Sequence, residues 1–251
     1  MKVRLCVALL ACATATAPAA DEKKTEPPRI IAVTPLRVIA GEKQTVRLRG
    51  VKLKDVTEIR ATPAVTATVK EKKDASLPAG LEAKEVGDQE IAVELTVPAD
   101  FAAKTVSLDA ITPAGSTGPR ELPVIVKDSA AREKEPNNGF REAMSWDGAQ
   151  PMDGRIDADK DVDVFRLPGR AGKALTIRIT AAAAGSLLDP VLALYDAAGS
   201  LLSTADDTAE NRDARLSFAP KTDGPLCLVV SDAHDRGGAW HEYRLEMETP
   251  P

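Results

Sequence analysis

Glu90-Ile-Ala-Val-Glu-Leu-Thr-Val97, closed by Pro98-Ala-Asp100, is the stretch whose reading decides the fold. Ile91, Val93, Leu95 and Val97 alternate with Ala92, Glu94 and Thr96. A period of two puts the apolar set on one face of a half-buried strand. Thr105–Ile111 repeats the pattern and ends at the turn formers Pro113-Ala-Gly115. Working outward, further alternating runs lie at Ile30–Val33, Thr45–Arg49, Val56–Arg60, Val65–Val69 and Leu122–Val126. About seven short strands in roughly 100 residues is the pattern of a β-sandwich. Lys70–Val86 is charged and poorly periodic, and it reads as a protruding loop or hairpin.

Residues 127–138, Lys-Asp-Ser-Ala-Ala-Arg-Glu-Lys-Glu-Pro-Asn-Asn, interrupt the pattern as an acidic hinge ending in turn formers. A helical turn is expected at Phe140–Met144. Strand signals resume at Asp163–Leu167, Ala174–Ala181, Val191–Tyr195, Ala214–Phe218, Leu226–Ser231 and Glu242–Met247, with a hairpin turn at Asp196–Gly199. Ala181–Ala184 is stopped at once by Gly185-Ser186. The expected fold class is all-β, with two β-sandwich domains. The organisation reads as a signal peptide at 1–20, a flexible leader at 21–28, a first domain at 29–126, the hinge at 127–138 and a second domain at 139–249.

The signal peptide rests on Lys2 and Arg4, an apolar run from Leu5 to Ala13, and Ala17-Pro-Ala19. It implies an exported protein, placed in the periplasm, at the cell surface or outside the cell. Cys12 after Leu9-Leu-Ala11 faintly resembles a lipoprotein site, but Leu10 stands where a small or β-branched residue is usual, and a cut there would leave a very short signal. Cys227, the one cysteine beyond the signal, sits in an apolar strand and reads as a small core residue.

The net charge of -5 argues against a nucleic-acid partner. No apolar stretch is long enough for a transmembrane span. Arg47, Arg49, Lys52, Lys54 and Arg60 read as the polar outer face of a sandwich. Serine-hydrolase chemistry lacks a G-x-S-x-G elbow, and Gly115-Ser-Thr-Gly118 reads as a plain loop. His234 and His241 lack the spacing of a helical zinc site and read as surface-loop residues, with Trp240 beside them. No catalytic residues are assigned.

Glu133-Lys-Glu-Pro-Asn-Asn138 carries the chemistry. Two carboxylates and two amide oxygens within six residues suit Ca²⁺, a hard cation that takes six to eight oxygens. Asp157, Asp159, Asp161 and Asp163 follow at odd positions, so an extended segment would set all four on one face. The plainer alternative is that Asn137 or Asn138 caps a turn and the acids form a solvated face. Of a further set, Asp189 reads as a turn cap and Asp206-Asp207 as loop acids, with Asp213 nearby.

Residues 133–247 resemble the bacterial pre-peptidase C-terminal domain family. The resemblance runs through Glu133–Asn138, Gly154-Arg-Ile156, Asp161-Val-Asp-Val-Phe165, Leu188-Asp-Pro190, Leu194–Gly199, Asp206-Asp207, Val230-Ser-Asp232, Gly237-Gly238 and Tyr243-Arg-Leu245. It implies a jelly-roll-like sandwich that serves as an accessory module. Residues 28–126 more loosely resemble IPT/TIG-type immunoglobulin-like domains, through Val33-Thr-Pro35, Gly41, Val46–Leu53 and Pro113-Ala-Gly115. The implied order is an immunoglobulin-like sandwich followed by a jelly-roll-like one. The collagen-binding modules of bacterial collagenases share the second domain type and bind calcium through linker carboxylates and amides. Carried across, Glu133, Glu135, Asn137 and Asn138 match the linker ligands. Asp161 and Asp163 are the expected partners, with Asp159 in reserve. The expected role is a non-catalytic binding or scaffolding protein with a calcium-ordered hinge. The alternatives are an accessory protein of a secreted peptidase and a cell-envelope or matrix adhesion module. The partner is an extracellular protein or a cell-envelope polymer.

Overall fold

The computed structural model describes residues 26–248, so the signal peptide, most of the leader and the last three residues lie outside the described part. Strands dominate, in chain order β1 (Arg29–Thr34), β2 (Val38–Ile39), β3 (Lys43–Val51), β4 (Glu58–Thr62), β5 (Thr66–Asp74), one short helix α1 (Ala83–Val86), β6 (Gln89–Thr96), β7 (Thr105–Thr112), β8 (Gly115–Ser116) and β9 (Arg120–Ile125). They form two sheets, β1-β3-β6-β5 and β2-β9-β7-β4, with β8 added to β7 as a hairpin. The alternation does what it predicts. Ile91, Val93 and Leu95 of β6 turn inward with Val46 and Leu48 of β3, and meet Val106, Leu108 and Leu122 from the facing sheet.

The second half holds β10 (Ala131–Arg132), β11 (Met144–Ser145), β12 (Met152–Arg155), β13 (Val162–Gly169), β14 (Leu175–Thr180), β15 (Pro190–Tyr195), β16 (Leu201–Ala205), β17 (Arg215–Phe218), β18 (Gly224–Asp232) and β19 (Glu242–Glu248). Two five-stranded sheets result, β10-β12-β19-β14-β17 and β11-β13-β18-β15-β16. Eight of these strands wind as β12-β19-β14-β17 over β13-β18-β15-β16, and that winding is a jelly roll. Phe165, Leu167, Ile177, Leu192, Leu194, Leu228, Val230 and Leu245 fill its core. The linker and the segment just after it supply the remaining two strands. β10 adds in parallel to β12 and β11 adds in parallel to β13, so one segment borders both sheets on the same side.

Several expectations need correction. Lys70–Val86 is a hairpin and not a plain loop: β5 continues through Lys70–Asp74 as an edge strand antiparallel to β6, and α1 lies in the connection between them. Alternating Lys and Glu on an exposed edge blunts it against pairing, which hides the strand from a hydropathy reading. Phe140–Met144 is no helical turn. A plain turn carries Glu142 N–H to the Gly139 carbonyl at 3.0 Å, and Met144 opens β11. Asp157–Asp161 is not extended either. A turn at 158–160, with Lys160 at φ 67°, breaks the alternation that would have aligned four aspartates. Cys227 is buried, as its strand pattern predicts.

The two halves meet through named contacts. Val33 N–H donates to the Gly185 carbonyl at 2.9 Å, and the Thr34 hydroxyl donates to Glu242 at 2.8 Å. Arg37 pairs with Asp128 at 3.3 Å and also with Asp153, which Arg244 holds at 3.2 Å. Arg47 and Arg49 lie 5.4 and 6.0 Å from the Trp240 ring. These arginines therefore do not form an open outer face. Arg49 is buried and donates to the carbonyls of Ser76, Val86 and Gly87. His241, next to Trp240, is likewise buried rather than on a surface loop, and burial lowers its pKa. His234 is exposed.

Candidate metal centre

The site follows from how the linker crosses the second sandwich. After β10 the chain stays on β12, with Glu133 N–H donating to the Asp153 carbonyl at 2.9 Å. Four residues later it has reached the other sheet, where Val164 N–H donates to the Asn137 carbonyl at 3.0 Å. Between these anchors the strap bridges the open side of the jelly roll and carries Glu133, Glu135 and Asn137 across it. A cis peptide joins Glu135 to Pro136 within the strap.

Asp163 waits beneath it. Alternation along β13 points Asp163 inward with Phe165 and Leu167, and its side chain is fully buried. From the facing sheet comes Tyr243 of β19. Its hydroxyl donates to Asp163 Oδ2 at 2.5 Å and lies 3.2 Å from Glu133 Oε2. Gly154 makes that reach possible: a Cβ there would fall 2.3 Å from the Tyr243 ring and hydroxyl. The Gly154-Arg-Ile156 motif is thus the floor under a phenol. Burial raises the Tyr243 pKa well above its ordinary value, so the phenol stays a donor.

One oxygen from each of Glu133, Glu135 and Asp163 lies within 4.8 Å of the others. Among the described residues no Lys, Arg or His forms an ion pair with any of the three; Arg155 pairs instead with Asp157. Glu133 accepts from the Arg155 N–H at 2.9 Å, and Glu135 accepts from the Asn137 N–H at 3.0 Å. The Asn137 amide NH₂ donates to Glu133 at 3.3 Å, which leaves its Oδ1 free. Asn137 Oδ1 and Asp163 Oδ1 are both buried without a hydrogen-bond partner among the described residues. Such atoms are rare, because each costs its full desolvation penalty. Burial, then the Glu133 hydrogen bond and charge, push the Asp163 carboxyl up to about 9, and Asp161 adds to the rise. Burial also raises Glu135, with the charges of Asp161, Glu133 and Asp157 acting the same way.

A cation fits this donor set. The oxygens are hard and outnumber any local positive charge, and two of them lack partners. No sulfur or imidazole ligand stands among them, which favours Ca²⁺ over zinc. Asn138 and Asp161 take other tasks in the present geometry. The exposed Asn138 accepts from the Asn137 N–H at 3.3 Å. Asp161 accepts from the N–H groups of Asp157 at 2.7 Å and Val162 at 3.0 Å. Asp159 accepts from Gly237 N–H at 3.2 Å. Tyr243 is the site residue that the sequence does not reveal: it is a core residue of β19, and its hydroxyl partners come from distant parts of the chain. Its place one residue after Glu242 in an alternating strand gives no hint of them.

The second acidic set divides. Asp189, Asp206 and Asp207 also bring oxygens within 4.8 Å of one another. Asp213 stands apart and caps the three-residue 3₁₀ turn at Ala182–Ala184, accepting from the N–H groups of Ala181, Ala182 and Ala183 at 3.2, 2.7 and 3.3 Å. A cavity of about 320 Å³ lies between the two halves, lined on one side by Arg37 and Asp128 and on the other by Glu133, Arg155 and Tyr243. No described helix is long and apolar enough to cross a membrane.

No protein-family model and no curated protein matches the chain. Among solved structures it is similar to the pre-peptidase C-terminal domain of a collagenase from Bacillus anthracis, at 14% identity and a TM-score of 0.34, over 46% of this chain and all of that one. A surface-associated copper-binding protein of Methylomicrobium album BG8 matches at 11% identity and a TM-score of 0.33, over 43% of this chain and 98% of that one. The secreted serine protease VesC of Vibrio cholerae matches at 8% identity and a TM-score of 0.31, over 89% of this chain and 48% of that one. The expected kinship with the pre-peptidase C-terminal family is thus met as a likeness of fold and no further, and likenesses of this size carry no argument about activity or ligand.

Proposed function

We propose that this chain is an exported, non-catalytic binding or scaffolding protein in which Ca²⁺ orders the 127–138 strap across the second sandwich. The observation that carries the proposal is the pair of buried, partnerless oxygens, Asn137 Oδ1 and Asp163 Oδ1, beside three clustered carboxylates. Glu133, Glu135, Asn137 and Asp163 would hold the ion. Asp161 adds negative charge from its turn, and Asn138 supports the Asn137 backbone. The bound ion supplies positive charge where the residues supply only oxygens. An ion that binds only the ordered strap stabilises that state by mass action. The Asp153–Arg155 strand segment then links the strap to the first half through Asp153 and Arg37.

Limited trypsin digestion tests the ordering. Lys127, Arg132, Lys134 and Arg141 lie in or beside the strap. Calcium should slow cleavage there relative to chelator-treated protein, and Asp163→Asn should cancel that protection. Equal cleavage rates with calcium and with chelator would contradict the proposal. The non-catalytic part fails if peptidase activity copurifies with the chain and is lost on mutation of a single Ser or His.

A further inference from the structure

β16 is an unusual edge. Among the described residues it is hydrogen-bonded to β15 alone and ends its sheet. Its sequence, Leu201-Leu-Ser-Thr-Ala205, contains no charge and no proline. The other described edges of four residues or more are all charged: Arg29 on β1, Glu58 and Arg60 on β4, Lys70 to Lys73 on β5, and Arg215 on β17. β2, β10 and β11 are two residues each. Charge and brevity are the ordinary protections of an edge, and β16 lacks both. Its one irregularity, a bulge at Leu202, sits beside the turn and leaves Ser203–Ala205 in regular register with β15.

Apolar surface gathers at the same place. Of the five exposed large apolar side chains among the described residues, Phe140, Leu201 and Leu202 lie here. Leu201 is 56% exposed and pairs across the ladder with Tyr195. The Tyr195 ring lies 5.2 Å from Phe140. Acids bracket the strand, with Asp196 in the preceding turn and exposed Asp206 and Asp207 directly after it. Of the arginines that follow in sequence, Arg212 lies 3.6 Å from Asp189, which clusters with Asp206 and Asp207 and leaves that group with more acids than bases, and Arg215 lies 3.6 Å from Glu248.

We propose that β16 is a strand-accepting edge, and that its occupant is an extended segment of another protein with an uncharged centre of about five residues and basic residues at both ends. Backbone pairing supplies affinity in this mode, and flanking charge supplies selection. Charge also selects against a second copy. Antiparallel self-pairing centred on Ser203 would bring Asp206 and Asp207 of one copy to the Asp196 turn of the other, like against like. The inference is independent of the cation site.

Two fluorescein-labelled peptides test it on the mature chain by anisotropy: Lys-Lys-Thr-Val-Thr-Val-Thr-Lys-Lys, and the same centre flanked by Glu-Glu at each end. The basic-flanked peptide should bind saturably and the acidic one should not. Leu201→Asp places a charge on the edge at a solvent-exposed position, so the fold should persist, checked by circular dichroism. It should weaken binding at least tenfold despite adding negative charge. Asp206→Asn with Asp207→Asn should weaken binding several-fold and flatten its salt dependence. Three results would overturn the proposal: no binding by about 1 mM peptide, equal binding by Leu201→Asp, or a concentration-dependent dimer of the wild type that Leu201→Asp dissolves.

Discussion

Glu133, Glu135 and Asp163 stand as close together as Asp189, Asp206 and Asp207, yet their surroundings differ. The first set straddles the strap and the sandwich interior. Among the described residues it has two buried oxygens without partners nearby and no basic side chain paired to it. In the second set Asp189 Oδ1 is also buried without a partner, but its Oδ2 faces Arg212 at 3.6 Å and His234 at 3.7 Å. Asp206 and Asp207 are exposed, where water solvates them. Proximity of carboxylates therefore does not define an ion site. What distinguishes the strap is charge and hydrogen-bonding capacity that the protein itself leaves unmet.

The largest expected effect is the loss of the ion on mutating the buried member of the first set. Asp163→Ala should remove calcium binding and the accompanying rise in melting temperature. That rise should be about 5–10 °C at a hundredfold excess of calcium over Kd, from about 2.7 kcal/mol of linkage. Asp207→Ala should leave both unchanged. If the two variants behaved alike in calorimetric titration, the contrast between the clusters would break.

Acidity sharpens the same contrast. The Asp163 carboxyl is raised in the folded chain, so without calcium the folded state binds the extra proton. The stability this contributes is fully present below the unfolded value near 4 and declines as pH rises toward about 9. Melting of chelator-treated protein should fall across that window, while calcium-loaded protein should hold. Calcium affinity should climb over the same range, with proton release visible as buffer-dependent heats in titration calorimetry.

Gly154→Ala comes next. Its Cβ would meet the Tyr243 ring at 2.3 Å, so the ring must move, at a cost of about 1–3 kcal/mol in urea unfolding. Tyr243→Phe keeps the ring and removes the donor to Asp163. It should cost about 1 kcal/mol without calcium. The smallest effect belongs to Asp206→Asn, within about 0.5 kcal/mol of wild type because its side chain is solvated.

The all-β class and most strands of both sandwiches were legible because alternation is a local signal, as Ile91-Ala-Val-Glu-Leu95 shows. Where local signals mislead, the reason is specific. The second half of β5 hides behind Lys70–Lys73, whose charges protect an edge. β16 lacks alternation because a bulge at Leu202 sets two leucines side by side. The odd-numbered aspartates looked aligned because the period was counted through a turn at Lys160. For the candidate site, Glu133, Glu135 and Asn137 could be read from residue type and spacing. Tyr243 could not, since it lies 80 residues beyond Asp163 and only the facing sheets bring the two together. The same holds for Trp240, which covers Arg47 and Arg49 from the other half of the chain.

The most direct test of the central claim is isothermal titration of chelator-treated mature protein with Ca²⁺, run beside Asp163→Asn and Glu135→Ala. The account predicts saturable binding by the wild type that Asp163→Asn abolishes and Glu135→Ala weakens at least tenfold. A wild-type titration without heat, together with a melting temperature indifferent to calcium, would contradict it.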